Sequence, residues 1–593
     1  MYRTNYCGQL SAADIGKTVQ VCGWVQKQRD LGTLIFIDLR DRTGIVQLAF
    51  NSTETEAKDG TSLFDMAFSA RSEYVLSAEG VVRSRGEGAI NKNITTGEIE
   101  IAVTKLEILS TSQTPPFEIV ENSNVKDELR LKYRYLDLRR PDVQRNIITR
   151  HEIVKCARDY FDENGFLEIE TPILIKSTPE GARDYLVPSR VHPGSFYALP
   201  QSPQLYKQLL MLSGFDRYMQ IAKCFRDEDL RADRQPEFTQ IDLEMSFVGE
   251  EDVMEINERF LKRVFKKFCN FDIQTPILRM PYSEAMSRFG SDKPDMRFGF
   301  ELTDISALVK NCGFSVFSSA VEAGGSVRAI NINGYADKFS RKEIDKLTEF
   351  IKTFGAKGLA WAKHGAEITS SYSKFLTAEE NKSIYDACGF GPNDLLLIVA
   401  DKKNKVVFDS LGALRLKAGK DLGLMKKGDF KFLWVTMFPM FEYDEEEQRF
   451  CAVHHPFTAP RDEDLQYLES DPARVCAKAY DIVLNGTEMG GGSVRIHRRD
   501  VQSRVFAALG FTEEEAEMKF GFLLDAFKYG APPHAGLAFG LDRLVSLVLG
   551  LDAIRDVIAF PKVQNASELM SGCPATVPQK ALDELFIDIK PQA

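Results

Sequence analysis

Three segments that lie far apart in the chain combine arginine, carboxylates and glycine in patterns suited to binding a nucleoside triphosphate. The first runs from Phe225 to Phe238 and contains Arg226 and Glu228, and the second is the glycine-rich segment from Gly536 to Arg543. Arginine suits a phosphate because its guanidinium donates two parallel hydrogen bonds and keeps its charge. The sequence therefore holds arginines that could bind the phosphates of ATP.

The third segment adds the groups needed to hold a magnesium ion. It contains Asp481 and Glu488, then Gly490 to Gly492, then Arg495. Two carboxylates can bind Mg²⁺ through their oxygens, and the glycines let the backbone approach a ligand closely. Neither G-x-x-x-x-G-K-[ST] nor G-x-G-x-x-G occurs, so the sequence indicates neither a P-loop nor a Rossmann nucleotide site.

The N-terminal region has the sequence pattern of β-strands, whereas the catalytic domain is predicted to begin with a helix. Five β-rich segments between Thr18 and Ser110 alternate with period two and predict a small Greek-key barrel. Such barrels commonly bind single-stranded nucleic acid, although a generic small β-domain fits the pattern equally well. Helical spacing over Asn146–Asn164 predicts an amphipathic helix that leads into Phe166–Leu174, where Pro172 favours an edge or an interface.

The rest of the chain mixes strands and helices without a regular βαβ alternation. This predicts an α+β catalytic domain on a mainly antiparallel sheet. Between 294 and 427 the composition becomes Lys-rich and Gly-punctuated, which indicates an inserted domain, called the inserted block below. We therefore predict a multidomain α+β protein with a barrel over 1–113, a hinge over 114–145, a catalytic domain over 146–293 and 428–560, the inserted block over 294–427 and a C-terminal extension over 561–593.

The composition is that of an ordinary globular protein, and we expect a cytoplasmic one. The 593 residues include 75 Lys and Arg against 86 Asp and Glu, and this net charge of −11 argues against a surface that binds nucleic acid everywhere. The stretch 126–150 is locally basic, either as a solvated face or as a contact for nucleic acid. The ten cysteines are scattered, so no zinc site is expected, and no segment is apolar enough to span a membrane.

Together these motifs resemble those of the class II aminoacyl-tRNA synthetases and, within subclass IIb, the bacterial-type aspartyl enzymes. The segment around Pro172 resembles the first class II motif, which forms the dimer interface, while Phe225–Phe238 resembles the second and Gly540–Arg543 the third. The string Arg134–Arg139 extends the resemblance, which covers essentially the whole chain. It implies an OB-fold anticodon-binding barrel, a class II antiparallel-sheet catalytic domain, an inserted α/β domain of the GAD type and a homodimer.

The resemblance also implies a role for each matching residue. Aspartate would be bound by Glu180, Ser202, Gln204 and Asp242 at its ammonium group, by Lys207 and Arg495 at its side-chain carboxylate, by Arg226 at its α-carboxylate, and by the mobile wall of His454 and His455. ATP would be bound by Arg226, Asp227, Glu228, Gln235, Phe238, Glu488, Gly540, Leu541, Asp542 and Arg543, of which Arg226 and Arg543 would be catalytic. Mg²⁺ would be held by Asp481 and Glu488, and the anticodon would be bound by Arg29, Phe36, Gln47 and Glu98.

The implied reaction joins L-aspartate to tRNA(Asp), through aspartyl-adenylate and pyrophosphate formed from ATP. Two cations facing the side chain would reject asparagine by about 10⁴ or more, since an amide leaves buried positive charge unpaired. Leu31 stands where members that also charge tRNA(Asn) have histidine, and it favours the discriminating type. Open alternatives are a non-discriminating enzyme, an asparaginyl- or lysyl-type synthetase, and an inactive paralogue that only binds tRNA.

Overall fold

The computed structural model describes residues 2–53, 62–178, 181–228, 234–446 and 448–590, and the chain forms two compact units. The first unit consists of Met1–Arg150 with Arg555–Thr576, and the second of His151–Ile554 with Val577–Ala593. The finer division into the five parts predicted from the sequence stays a prediction. Within the described residues, no helix combines the length and the apolar character that a membrane span requires.

The first unit is built on a closed barrel. Its strands are β1 (Thr18–Asp30), β2 (Leu34–Asp41), β3 (Gly44–Asn51), β4 (Val75–Ser84) and β5 (Ile99–Ser110). They are arranged in the order β1-β2-β3-β5-β4, with β3 and β5 parallel and the other neighbours antiparallel. Alternate side chains such as Val21, Ile37 and Leu48 are fully buried in the barrel core. The predicted barrel and its period of two are confirmed.

Short helices accompany the barrel, and a long helix follows it. They are α1 (Leu63–Ser69), α2 (Asp127–Lys132), α3 (Arg134–Asp137) and α4 (Pro141–Glu163). The helix predicted from Asn146 begins earlier, at Pro141. Proline is favourable there because the first turn of a helix does not need its missing N–H, and Asp142 beside it complements the positive end of the helix dipole.

Basic side chains of the stretch 126–150 surround one buried carboxylate. Asp137 has no solvent exposure and pairs with Arg130 at 2.9 Å, with Arg140 at 3.0 Å and with Arg134. Arg134 and Arg140 are themselves buried. Part of the positive charge that the sequence shows is therefore neutralised inside this unit and is presented neither to solvent nor to RNA.

The second unit contains the remaining strands and helices. The strands are β6 (Leu167–Glu168), β7 (Leu186–Pro188), β8 (Phe196–Ala198), β9 (Arg217–Phe225), β10 (Glu237–Ser246), β11 (Arg279–Pro281), β12 (Leu302–Asp304), β13 (Ser326–Ile332), β14 (Ala360–His364), β15 (Ile368–Ser370), β16 (Leu395–Asp401), β17 (Phe432–Thr436), β18 (Phe441–Asp444), β19 (Arg449–Ala452), β20 (Ala479–Leu484), β21 (Thr487–Val494) and β22 (His534–Gly540). The helices are α5 (Gln204–Leu212), α6 (Glu250–Cys269), α7 (Tyr282–Phe289), α8 (Ser306–Val309), α9 (Ser315–Glu322), α10 (Arg341–Lys352), α11 (Ala378–Ala387), α12 (Asn404–Asp421), α13 (Arg499–Ala508), α14 (Glu513–Ala526), α15 (Leu541–Leu549) and α16 (Gln579–Asp583).

The main sheet of this unit has eight strands in the order β11-β17-β20-β21-β22-β10-β9-β6. Neighbours are antiparallel except for β11 with β17 and β6 with β9, which confirms the predicted α+β class. Strand β6 lies at the edge, as Pro172 indicates, and Leu167, Ile173 and Leu174 nearby are about half exposed. In β10 the apolar residues Ile241 and Leu243 are buried, and Asp242 and Glu244 alternate with them on the other face.

The inserted block contains a separate antiparallel sheet in the order β12-β13-β16-β14-β15. Both of its faces are covered by helices, because the buried run Leu395–Val399 of β16 sends alternate apolar side chains to either side. Helices α10 and α12 pack on the face that holds Leu395 and Leu397. Helices α8, α9 and α11 pack on the opposite face, which holds Leu396 and Ile398.

Candidate active site

A cavity of about 1140 Å³ lies over the central strands of the main sheet. It brings together most of the predicted site residues: Ser202, Gln204, Lys207, Arg226, Glu228, Gln235, Phe238, Asp242, His454, His455, Asp481, Glu488, Arg495, Gly540, Asp542 and Arg543. Of the predicted residues that the structure describes in this unit, Asp227 and Leu541 do not line the cavity. Glu180 and residues 229–233 of the second motif lie outside the described residues.

One end of the cavity holds two buried cations that share a buried carboxylate. Lys207, on α5, places its Nζ 2.6 Å from Asp242 Oδ1 and 3.3 Å from Glu244 Oε2. Arg495 donates from Nε and Nη2 to the two oxygens of Glu244, at 2.9 and 3.1 Å, and from Nη1 to Ser493 Oγ at 2.7 Å. All four charged groups are at least 95% buried, at 2% exposure for Lys207, 1% for Asp242, 0% for Glu244 and 5% for Arg495.

Glu244 is the residue of this end that the sequence motifs did not indicate. Burial opposes its ionisation, but Arg495 and Lys207 outweigh burial and lower the pKa of Glu244 to about 2. The strand opposite leaves room for this carboxylate, because a Cβ added at Gly536 would lie 1.9 Å from Glu244 Oε2. The one available signal was its position two residues after Asp242 on a strand, which places both side chains on one face.

Buried polar atoms that have no partner among the described residues mark the space between these charges. They are Asp242 Oδ2, Gln204 Nε2 and His455 Nε2, with Arg226 Nε nearer the nucleotide end of the cavity. A buried donor or acceptor without a partner is costly, so such atoms indicate where a ligand forms hydrogen bonds. Asp242 Oδ2 and Gln204 Nε2 suit the ammonium and carboxylate groups of an amino acid.

His454 and His455 form a neutral wall beside the two cations. Burial, together with Arg495 and Lys207, lowers the pKa of His455 to about 3. Desolvation by the surrounding protein, together with the charge of Arg495, lowers the pKa of His454 to about 4, although the residue as a whole is exposed. The ring of His454 lies edge-on to Phe438, with centroids 4.8 Å apart. At neutral pH both imidazoles are therefore uncharged.

The other end of the cavity holds the arginines expected at the phosphates. The guanidinium of Arg226 lies 5.1 Å from the ring centroid of Phe238, so the cation next to the predicted base-stacking ring is that of Arg226. Arg543 donates from Nη1 to the carbonyl oxygen of Glu488 at 3.2 Å. Glu228, predicted to read adenine, pairs with Arg234.

Two residues beside Arg543 have structural contacts that their place in the third motif does not reveal. Asp542 is buried, and its Oδ2 accepts a hydrogen bond from the backbone N–H of Thr239 at 3.0 Å. This bond ties the start of α15 to β10. Leu541 is 1% exposed, so its side chain packs in the core, and any ligand contact there is through the backbone.

The predicted metal carboxylates converge over a glycine. A Cβ added at Gly491 would lie 2.4 Å from Asp481 Oδ1 and 3.8 Å from Glu488 Oε1. Burial and the charge of Glu488 raise the pKa of Asp481 well above its ordinary value, and a divalent cation would offset this repulsion. Two carboxylates beside the glycines 490–492 of β21 fit Mg²⁺, which binds to proteins through one or two carboxylates together with phosphate oxygens.

In the first unit, three of the four predicted anticodon residues belong to one polar network on the barrel. Arg29 donates from Nη2 to Gln47 Oε1 at 2.8 Å and to Asp38 at 2.9 Å, and its guanidinium lies 5.8 Å from the Phe36 ring. Gln47 in turn donates to Glu100 Oε2 at 2.8 Å. Asp38 and Glu100 are members that the sequence reasoning missed. Glu98 is exposed just before β5, and its backbone carbonyl accepts from Arg85 N.

Comparisons with known proteins agree with both parts of this description. The sequence matches the family described as "OB-fold nucleic acid binding domain" over residues 19–109 and the family described as "tRNA synthetases class II (D, K and N)" over residues 126–564. The aspartate–tRNA ligase of Ruminiclostridium cellulolyticum is 63% identical over 589 residues, which cover 99% of this chain and 98% of that protein. The aspartate–tRNA(Asp/Asn) ligase of Lachnoclostridium phytofermentans is 58% identical over 595 residues, which cover 100% of this chain and 98% of that protein.

A solved structure shows the same fold at low sequence identity. The asparaginyl-tRNA synthetase from Pyrococcus horikoshii, complexed with asparaginyl-adenylate, aligns with a TM-score of 0.58 at 20% identity. The alignment covers 95% of this chain and 98% of that chain. With the family match over most of the sequence and relatives that are similar over nearly its full length, the chain belongs to the class II tRNA synthetases of the D, K and N group.

Proposed function

We propose that this protein is an aspartate–tRNA ligase that activates L-aspartate with ATP and transfers it to the 3′ end of tRNA(Asp). The observation that carries the proposal is the pair of buried cations, Lys207 and Arg495, arranged about Glu244 at the amino-acid end of the cavity. Relatives of high identity are named aspartate–tRNA ligases, which supports the same substrate.

The charges that would face the bound amino acid favour aspartate over the other two amino acids of the D, K and N group. Lys207 and Arg495 at the amino-acid end, and Arg226, which would bridge the α-carboxylate and the α-phosphate, provide three positive charges, while Asp242 and Glu244 provide two negative charges. The histidines are neutral, so these five groups leave one positive charge in excess, which equals the net negative charge of aspartate. Asparagine would leave this charge uncompensated in a buried site, and lysine would add to it.

Aspartyl-adenylate formation needs no general base in this site. The α-carboxylate of aspartate is ionised at neutral pH and attacks the α-phosphorus of ATP, with pyrophosphate as the leaving group. Arg226 would orient the carboxylate and the α-phosphate, and Arg543 would stabilise the charge on the phosphates. Mg²⁺ held by Asp481 and Glu488 would neutralise phosphate charge. The terminal ribose hydroxyl of the tRNA then attacks the carbonyl carbon of the anhydride and releases AMP.

The barrel would bind the anticodon through hydrogen bonds and stacking. Arg29 and Gln47 hold each other in place, so their remaining polar atoms and the half-buried ring of Phe36 are pre-oriented for unpaired bases. Leu31 lies at the turn between β1 and β2 and is 68% exposed, where it can contact an anticodon base. We propose that it favours tRNA(Asp) over tRNA(Asn). Efficient aspartylation of tRNA(Asn) by the unmodified enzyme would overturn this assignment.

We further propose that the enzyme acts as a homodimer in the cytoplasm. The exposed apolar side chains at the sheet edge, Leu167, Ile173 and Leu174, support an interface there, because such a group is seldom left in water. The mass of the protein in solution, measured by light scattering, tests the dimer. A monomeric mass at micromolar concentration would contradict it.

The activity is tested by ATP–pyrophosphate exchange with the wild-type protein and with Arg495→Leu. The wild type is expected to catalyse exchange with aspartate, and the variant is expected to lose it, because Glu244 then has only one cation and aspartate has no bidentate partner. Unchanged exchange in Arg495→Leu would show that the specificity residues are elsewhere. Exchange with asparagine or lysine alone would assign a different synthetase, and no exchange with any of the three would favour a protein that only binds tRNA.

A further inference from the structure

Helix α12 of the inserted block has a face adapted to close contact with the segment 290–298, where the chain passes from the predicted catalytic domain into the inserted block. Gly412, Arg415 and Gly419 recur at helical spacing and therefore lie on one side of α12. A Cβ added at Gly412 would lie 2.5 Å from the carbonyl oxygen of Gly290, and a Cβ added at Gly419 would lie 2.5 Å from the ring of Phe298. The backbone of the helix thus touches the segment at both ends of this face, because neither glycine has a side chain.

Arg415 fills the centre of this face and holds the segment directly. Its guanidinium lies 4.9 Å from the ring centroid of Phe289 and 4.3 Å from that of Phe298. Nη2 donates to the carbonyl oxygens of Asp295 and Phe298, at 2.8 and 2.7 Å. The side chain is 1% exposed, which is rare for arginine and requires the partners that it has here. Burial lowers the pKa of Arg415 to about 10, so it remains charged at neutral pH.

The other side of the segment 290–298 contacts the hairpin that carries the two metal carboxylates. Asp295 packs against the turn between β20 and β21, since a Cβ added at Gly486 would lie 3.3 Å from the Cβ of Asp295. Asp481 precedes this turn and Glu488 follows it. Asp292 lines the cavity, and the charge of Asp292 acts on both Asp481 and His454. One continuous path of contacts therefore leads from α12 to the phosphate end of the site.

We propose that Arg415 is a positioning residue for magnesium and ATP, through which the inserted block fixes the hairpin that bears Asp481 and Glu488. The proposal rests on the proposed function for the identity of the nucleotide. Arg415 does not line the cavity and contacts no reacting atom. Its effect is indirect, because the backbone of Asp295 that it binds supports the turn between the two carboxylates. Groups that hydrogen-bond a metal ligand directly change metal affinity by about 10- to 100-fold, and Arg415 acts through a further layer of contacts, so we expect an effect at the lower end of this range.

The test compares Arg415→Met with Phe298→Leu, which weakens the same contact without removing a buried charge. Arg341→Met is the matched control, since Arg341 lies in the same block with an exposed side chain paired to Asp345. Two measurements are made on the full-length protein. One is the Mg²⁺ concentration for half-maximal binding of α,β-methylene ATP by calorimetry, and the other is amide hydrogen exchange of the hairpin 481–491.

Arg415→Met is expected to raise the half-maximal Mg²⁺ concentration by about tenfold and to speed exchange in the hairpin, and Phe298→Leu should do both to a smaller extent. The control should match the wild type, and aspartate binding without ATP should be unchanged in all variants. Wild-type Mg²⁺ dependence with unchanged hairpin exchange in Phe298→Leu and Arg415→Met would overturn the proposal. If the wild type binds the analogue with Mg²⁺ but does not activate aspartate, the proposed function fails, while both readouts still decide the role of Arg415.

Discussion

Replacing Glu244 by glutamine tests whether this buried carboxylate orients the two cations that select aspartate. The substitution keeps the shape of the side chain and removes its charge. Glutamine can accept a hydrogen bond from Arg495 through one oxygen only, and its amide N–H groups then face the N–H donors of Arg495 or Lys207. The variant therefore replaces two hydrogen bonds between oppositely charged groups with one hydrogen bond to a neutral acceptor and one donor–donor contact.

The magnitude follows from the environment of the carboxylate. Arg495 and Lys207 lower the pKa of Glu244 from its ordinary 4.5 to about 2 despite complete burial. This difference corresponds to about 3 kcal/mol of preference for the ionised form. Breaking a buried ion pair by removing one partner costs about 3–5 kcal/mol, which is of the same order of magnitude as the preference derived from the pKa. We expect the loss to divide between folding stability and aspartate activation, with kcat/KM for aspartate reduced by about 10- to 100-fold.

The assay is ATP–pyrophosphate exchange with aspartate varied, together with the thermal unfolding midpoint. Glu255→Gln is the control, because Glu255 is an exposed residue on α6 that pairs with Arg259 at 2.9 Å. In Glu244→Gln the KM for ATP should change by less than about twofold, since the arginines at the phosphates are untouched. A wild-type kcat/KM for aspartate with a wild-type unfolding midpoint would refute the role assigned to Glu244.

Three further predictions concern other parts of the molecule. Gly491→Ala should sharply reduce ATP–pyrophosphate exchange and raise the Mg²⁺ concentration that it requires, because the new Cβ would lie 2.4 Å from Asp481 Oδ1. The KM for aspartate should not change. An unchanged Mg²⁺ requirement would argue against the metal site. Burial lowers the pKa of His455 to about 3 in the folded protein, from 6.5 in the unfolded chain. As the pH drops below about 6.5, the unfolded chain binds a proton that the folded protein does not bind, so the free energy of unfolding decreases. Acidification from pH 7 to 5 should thus cost the wild type up to about 2 kcal/mol more than His455→Gln in urea unfolding, and equal losses would contradict this. Arg29→Ala should weaken tRNA(Asp) binding by about tenfold in filter assays without changing exchange, because it disrupts only the barrel network; unchanged tRNA binding would exclude this face.

The strands of the barrel and the antiparallel class of the main sheet could be predicted because they depend on local patterns. Period-two alternation indicates which side chains face a core, and it can be recognised in the sequence without any knowledge of the tertiary fold. Lys207 and Arg495 could be named because they lie in recognisable motifs. Glu244 could not, because its role depends on two cations that come from α5 and from the residues after β21, far away in the chain.

The basic stretch shows where reasoning from charge alone is insufficient. Counting charges over 126–150 indicates a positive segment, but the count does not reveal that Arg130, Arg134 and Arg140 all turn toward Asp137. The same limit applies to Arg415, whose sequence neighbours give no sign that it is buried between two aromatic rings. Contacts that a side chain makes with residues distant in the sequence can be identified only in the folded structure.

We propose that this site selects aspartate by charge. ATP–pyrophosphate exchange by the purified wild-type protein, measured side by side with aspartate, asparagine and lysine, tests this selection. The balance of Lys207, Arg495 and Arg226 against Asp242 and Glu244 predicts exchange with aspartate, with kcat/KM exceeding that for asparagine by about 10⁴ or more and no exchange with lysine. Comparable kcat/KM values for aspartate and asparagine would contradict selection by charge.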